Sequence, residues 1–395
     1  MRFTYQSAWL PVISLAIAAF TFSTSEFMPV GLLSDISQSY HTPVADAGLL
    51  MTIYAWTVSL TSLPCMLLTR KIDRRVMVLR AFILFIAGQL LCSIAWNFAV
   101  LVIARMAVAV AHAIFWAITA SIAMRIAPVN GQTKALSLLV MGTSLAAILG
   151  LPCGRILGEL FNWRIAFLAI GLLALGCFIL LWFQLPALAS QNSGSLHSLP
   201  TLFKKPNLLL MYWLMLVLTA GHFCAYGYIE PFITTVAHGG NHLITAVLFI
   251  FGFAGIIASS LFSKFNRYPF MLLAGSMLAQ AMATGLLFVF SASADMLLIL
   301  SLIWSMAITW SALALQLNVL KIAHEAVDVA TSLYSTIYNT GVGIGTLVGG
   351  QVVLTRGIGH IGDVAALMAF VALGCYYLSQ AHLFFHSART RHKLP

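Results

Sequence analysis

The chain has 395 residues, of which 61% are apolar and only 8% charged, and it carries a net charge of +10. A water-soluble domain carries roughly a quarter charged residues to cover its surface, so this composition excludes a protein whose main solvent is water. The apolar runs are long and continuous, which also excludes an outer-membrane barrel with its short alternating strands. What remains is a set of membrane-spanning helices, which satisfy every backbone polar group internally.

A span needs about 20 mostly apolar residues. In chain order, such runs predict helices over roughly 9–33, 46–69, 76–95, 98–124, 133–157, 163–184, 207–232, 241–263, 269–290, 295–320, 328–354 and 361–386. The first run is too long for a signal peptide, contains Glu26 and lacks a small-residue cleavage site, so it reads as an uncleaved span. The longest connection, Pro186 to Pro206, is rich in Ser, Gly and Pro. It divides the chain into an N-terminal six-helix bundle (1–185), a cytoplasmic central loop (186–206) and a C-terminal six-helix bundle (207–395). Basic loops stay cytoplasmic. With the N-terminus inside, sixteen of the twenty Lys and Arg fall on the inner side, all but Arg105, Arg155, Arg164 and Arg356. Both termini are then cytoplasmic, and the positive charge faces anionic lipid headgroups rather than nucleic acid.

A charge within the bilayer is costly and usually faces a cavity where it has a task. Glu26 lies two thirds along the first span among Thr21, Ser23, Thr24 and Ser25. It is suited to bind and release protons, or it is a structural carboxylate held by hydroxyls or a basic neighbour. Arg105 and His112 are seven apart on the fourth span, hence on one face, with Trp116 one turn further. Arg105 pairs with a carboxylate or holds a substrate hydroxyl; His112 relays protons or is a hydrogen-bonded interior residue. In the second half, Glu230 with His222, Tyr226 and Tyr228 belongs to an outer gate or substrate path, or is hydrated at the outer end. Arg155, Glu159 and Arg164 around the loop between spans five and six read as a structural ion-pair set.

A cavity for a small polar solute needs flat apolar surfaces together with amides and hydroxyls. Trp116, Trp304, Trp310, Gln316, Asn318, Tyr334, Tyr338 and Asn339 supply those types, or else belong to interfacial belts and packing. The six cysteines lie in apolar runs without metal-type spacing. With no phosphate-cradling loop, zinc signature or nucleophile motif, neither a metal nor a cofactor is expected, and neither is an enzyme.

The halves show an internal repeat. The first span carries Glu26 shortly before Pro29, and the seventh carries Glu230 before Pro231. At an offset of 195, Ala135, Ser137, Leu138, Gly150 and Gly154 of span five fall on Ala330, Ser332, Leu333, Gly345 and Gly349 of span eleven. Such repeats are characteristic of transporters.

With these features the chain resembles the major facilitator superfamily, an all-α membrane fold of twelve transmembrane helices in two pseudo-symmetric six-helix bundles. Within it, the chain is similar to the drug:proton antiporter branch. Gly142, Gly150, Pro152 and Gly154 resemble that branch's span-five motif, although Leu151 separates the Gly and Pro that the motif joins. Arg105 stands where the family has its span-four arginine. The stretch Thr69 to Arg75 is a shortened form of the loop motif after span two, without its two glycines. Glu26 to Ile36, Ala111 to Ala123, Gly194 to Pro206 and Tyr228 to Phe232 are similar to the bacterial sugar efflux transporter family.

The resemblance implies gating roles for Asp73, Arg74, Arg75, Gly150, Pro152 and Gly154. Beside it stand Glu26, His112 and Arg105 as candidates for proton coupling. The candidates for substrate binding are Trp116, Tyr226, Glu230, Trp310, Gln316, Asn318, Tyr338 and Asn339. The expected function is proton-coupled efflux of sugars or sugar-like solutes, such as arabinose, across a bacterial inner membrane by alternating access. The alternative is a multidrug/proton antiporter of the same fold. The expected partners are the small-molecule substrate, protons and membrane lipid, with the chain working as a monomer.

Overall fold

The computed structural model of the protein describes residues 9–68, 72–129, 131–189, 199–325 and 327–391. The central loop expectation therefore lies partly outside the described residues. No strand occurs among them. The first half runs through α1 (Leu10–Phe27), a 3-10 turn (Met28–Gly31), α2 (Leu33–Tyr40), α3 (Val44–Leu68), α4 (Arg74–Ile94) and α5 (Phe98–Ile126). It continues through α6 (Gln132–Leu145), a π-helical turn (Ala146–Gly150), α7 (Leu151–Leu160) and α8 (Trp163–Gln184). After the short α9 (Leu199–Leu202) come α10 (Pro206–Tyr226), α11 (Ile229–Thr235), α12 (Asn241–Phe265) and α13 (Pro269–Gly285). The chain ends with α14 (Ala294–Ile322), α15 (Val327–Thr355) and α16 (Ile361–Arg391).

Eleven spans among the described residues are long and apolar enough to cross a bilayer, counting α1 with its 3-10 turn, α6 with α7, and α10 with α11 as one each. The remaining expected span, the ninth (269–290), contains α13, a helix of 17 residues packed against α14 and α16. Seventeen residues rise about 26 Å, the short end of what the hydrocarbon core requires. The outer faces of the helices are apolar, with Ile94, Phe183 and Leu378 pointing away from the protein. Such a surface is stable only against lipid.

Three apolar cores organise the packing. One is built wholly from residues between Val12 and Leu188, a second wholly from residues between Leu202 and Tyr376. The third joins both parts of the chain, packing Val30, Leu33, Ala47 and Leu151 with Tyr228, Phe232, Ile244 and Leu248. The halves are thus sealed at the end that holds α2 and α11. α12 packs on the π turn and α7 but much less on α6, so contact is lost towards the opposite end. Along the other side, α3 and α15 run together and exchange hydroxyl contacts. Thr52 Oγ1 and Thr346 Oγ1 are 2.7 Å apart, and Ser59 Oγ reaches Thr340 Oγ1 at 2.9 Å and the carbonyl of Thr336 at 3.1 Å.

Candidate functional site

Pro29 sets the geometry of the first cluster. Proline has no N–H and cannot bond the carbonyl four residues back, here that of Ser25. α1 ends at Phe27 and the chain turns through the 3-10 segment. Arg105 of α5 takes up carbonyls at this helix end: Nη1 donates to Ser25 O at 2.8 Å and Nη2 to Glu26 O at 3.1 Å. Gln89 Nε2 of α4 donates to Ser25 Oγ. The guanidinium lies 4.2 Å from the centre of the Tyr54 ring and is 0% exposed. A cation at a helix C-terminus is favoured by the helix dipole, and the carbonyl bonds offset its desolvation. Arg105 makes no ion pair among the described residues.

Glu26 turns instead towards His112, its Oε2 3.7 Å from His112 Nε2, with the side chains 13% and 6% exposed. The imidazole stands edge-on to Tyr54 at 5.7 Å and 6.2 Å from Trp116. Tyr54 Oη, Gln89 Oε1, Arg105 Nε and His112 Nδ1 have no hydrogen-bond partner among the described residues. Nearly all buried polar groups in proteins are bonded. A carboxylate, an imidazole and four unbonded polar atoms in one enclosure form a place where a proton can be held and passed on.

Packing fixes the register of the repeat. Gly150 and Gly154 lie against Thr24 and Met28, while Gly345 and Gly349 lie against the backbone of Ala220 and Cys224. These contacts match Thr24 with Ala220 and Met28 with Cys224, an offset of 196. Glu26 therefore corresponds to His222, and Phe27 to Phe223. Glu230 corresponds to Ser34 rather than to Glu26, so the two acid-proline pairs visible in the sequence are not structural equivalents.

Between the halves lies a cavity of about 390 Å³. Its polar lining comes from Ser23, Thr143, Thr219, His222, Tyr226, Thr309 and Tyr338, and its rings and apolar wall include Phe27, Phe223, Phe251, Ala147 and Leu151. Among the described residues, no Asp, Glu, Lys or Arg lines it. His222 stacks on Tyr226 at 4.9 Å and stands edge-on to Phe223 and Trp304 at 4.7 and 5.3 Å.

Of the expected substrate residues, Tyr226 and Tyr338 line this cavity, and Trp116 stands beside His112. Trp310 Nε1 donates to Ala258 O at 2.8 Å and lines a separate groove with Phe265 and Met271. Asn318 and Asn339 donate to carbonyls of their own helices, at Ala314 and Ser335, and Gln316 is half-buried on α14. Among the expected gating residues, Asp73 caps α4 by accepting from Arg75 N at 2.8 Å. Arg75 Nη2 donates to Trp182 O and Arg74 N to Leu188 O. Gly150 closes the π turn, and Pro152 and Gly154 begin α7.

Glu230 joins the halves at their sealed end. Its Oε2 accepts from Ser34 N of α2 at 2.9 Å. Beside it Arg155 donates to Asp35 Oδ2 at 2.6 Å, to Gly31 O at 3.0 Å and to Asn241 Oδ1 at 2.8 Å. The expected ion-pair set of Arg155, Glu159 and Arg164 is replaced by this one, because α2 brings Asp35 to Arg155; Arg164 binds Ser39 and Ala95 O instead. Sequence reasoning missed Asp35, Asn241, Phe27, Thr219 and Phe223, and named Ser23 only as a neighbour of Glu26. An alignment of the halves at an offset of 196 would have found Ser23 with Thr219 and Phe27 with Phe223.

The chain matches the Major Facilitator Superfamily over residues 15–382. It is 47% identical to a probable sugar efflux transporter of Mannheimia succiniciproducens, over 92% of this chain and 91% of that protein. It is 46% identical to a probable sugar efflux transporter of Pasteurella multocida, over 95% and 93%. Two solved structures of a bacterial homolog to the human lysosomal transporter Spinster, inward-facing and either unoccupied or occupied, superpose with TM-scores of 0.79 and 0.77. They are 15% and 16% identical to this chain, cover 95% and 96% of it and are themselves covered to 97% and 98%, and show the shared fold. With its all-helical spans, its duplicated halves and a match over nearly the whole sequence, this multi-pass membrane transporter, which is not an enzyme, belongs to the Major Facilitator Superfamily.

Proposed function

We propose that the chain exports sugars or sugar-like small solutes, arabinose and its analogues among them, from the cytoplasm in exchange for protons. Two six-helix bundles, 1–185 and 207–395, rock about the cavity between them. The observation that carries this reading is the charge-free cavity with hydroxyl, phenol and imidazole groups set among aromatic rings. A neutral polyol has no charge to balance and presents both ring faces and hydroxyls. The relatives named for sugar efflux support the same substrate class. A multidrug/proton antiporter is the second reading, favoured by the apolar wall of Ala146, Ala147, Leu151, Ile308 and Leu313.

In this reading Glu26 is the proton carrier, with His112 as its relay and Arg105 holding the helix end that presents it. The membrane is the bacterial inner membrane, both termini are cytoplasmic, and basic loops meet lipid headgroups. The Arg155–Asp35 end is then periplasmic and closed, and the cavity faces the cytoplasm. Asp73, Arg74 and Arg75 act at the cytoplasmic rim, and Gly150, Pro152 and Gly154 form a flexible joint. The transporter works as a monomer. The test is uptake of labelled arabinose and of a cationic dye into inverted vesicles under an imposed proton gradient. Gradient-dependent arabinose uptake is expected; dye uptake without sugar uptake overturns the assignment.

A further inference from the structure

The two halves contribute different chemistry at equivalent positions. Where the first half presents Glu26, the second presents His222, and both belong to the helix that opens its half. His222 is 8% exposed, lines the cavity, and its Nδ1 has no hydrogen-bond partner among the described residues. Nor has Nε1 of the neighbouring Trp304, which is 0% exposed. Tyr226 stacks flat on the imidazole, and Phe223 and Trp304 hold it edge-on. A ring clamped in this way can shift little, so its nitrogens have a fixed reach, while a neutral imidazole offers one donor and one acceptor. No carboxylate or cation pairs with it among the described residues. The imidazole of His112, by contrast, faces Glu26 at 3.7 Å.

We infer that His222 is the specificity-determining residue of a sugar subsite on the α10 wall of the cavity, where its imidazole, held in place by Tyr226 and Phe223, hydrogen-bonds a ring hydroxyl. This rests on the sugar-transport reading above and adds to it a division of labour. The first half holds the exchangeable proton, and the second reads the hydroxyl pattern of the solute. Sugars differing only in hydroxyls have nearly the same apolar faces, so discrimination must come from a polar group at a fixed place. His222 is such a group on the cavity wall.

The test uses the full-length protein in reconstituted vesicles, measuring counterflow of labelled arabinose competed by its singly deoxygenated analogues. Wild type is expected to discriminate against one analogue by about tenfold, the worth of a hydrogen bond left unmade. His222→Phe keeps the ring and its packing but removes both nitrogens. It is expected to weaken arabinose by about the same factor and to bring the ratio for that analogue close to one. His222→Asn, which keeps a donor and an acceptor, is expected to retain part of the discrimination, and it also serves if the Phe variant does not fold. Unchanged ratios in a folded His222→Phe or His222→Asn protein that still carries arabinose overturn the subsite alone. Absence of any sugar counterflow in wild-type vesicles overturns the sugar-transport reading and the subsite with it.

Discussion

Phe27 and Phe223 stack on each other across the two halves, their ring centroids 5.7 Å apart and their planes 20° from parallel. They occupy equivalent places in the repeat, so a pair related by the pseudo-symmetry meets itself at the cavity wall. Stacked aromatic pairs contribute about 0.5–1.5 kcal/mol beyond their buried area. Phe27→Leu and Phe223→Leu are each expected to raise the KM for arabinose counterflow, with the double variant costing less than the sum. Strictly additive effects would show that the rings act independently.

Glu26→Gln keeps the shape of the side chain but removes the exchangeable charge opposite His112. Accumulation driven by a pH gradient is expected to fall at least about tenfold, while counterflow at equal pH on both sides persists. Gradient-driven accumulation at the wild-type level rules out Glu26 as the proton carrier.

Arg105→Ala removes the donors that bind the carbonyls of Ser25 and Glu26 and leaves those groups buried and unbonded. The expected loss of stability is roughly 3 kcal/mol, seen as a lower melting temperature of the purified protein in detergent. Arg105→Lys, a single-point donor, recovers only part of it. A melting temperature equal to wild type in the Ala variant would mean that other groups cap α1.

The glycines of spans five and eleven differ in what opposes them. A methyl group at Gly150 meets the side chain of Thr24, whereas one at Gly345 meets the carbonyl of Ala220. Gly150→Ala is expected to destabilise by about 1–3 kcal/mol, an overpacking cost, and to be partly rescued by Thr24→Ala. Gly345→Ala has no such rescue among side chains, since backbone cannot be trimmed. Equal rescue by Ala220→Gly, measured as melting temperature, would contradict this account.

Arg155→Ala breaks the links to Asp35, Gly31 and Asn241 in one step. Loss of these links is expected to open the sealed end more often. A cysteine placed at Ser23 then reacts several-fold faster with an impermeant maleimide added from that side. Unchanged labelling would assign closure to the apolar core around Phe232 instead.

The spans and the residues that interrupt them were legible in the sequence because apolar length and isolated charge are local properties. Glu26, Arg105 and His112 stood out for that reason, and the structure brings them into one enclosure. Their partners were not legible. Arg105 binds the carbonyl of Ser25, freed by Pro29, and that of Glu26 at the same helix end, and backbone groups leave no mark in composition. Glu230 drew notice as an acid before a proline, yet it caps α2 away from the cavity, because the register of the repeat is set by glycine contacts rather than by that motif. Trp310 and Asn318 have the right chemistry for a sugar but give their N–H groups to neighbouring backbone, and Asn339 donates to Ser335 O while its Oδ1 is left unbonded among the described residues, which only the facing of each helix decides.

The seam between α3 and α15 has a mechanical consequence. Ser59 sits between the Thr336 carbonyl and the Thr340 hydroxyl one turn along, and Thr52 meets Thr346 hydroxyl to hydroxyl. Hydroxyls donate or accept alike, so a small slide of one helix past the other trades one such bond for another of similar strength without stripping water from an ion. In the proposed rocking motion the seam would act as a bearing that keeps the halves in register, while the Arg155 cluster and the apolar core around Phe232 hold them together at one end.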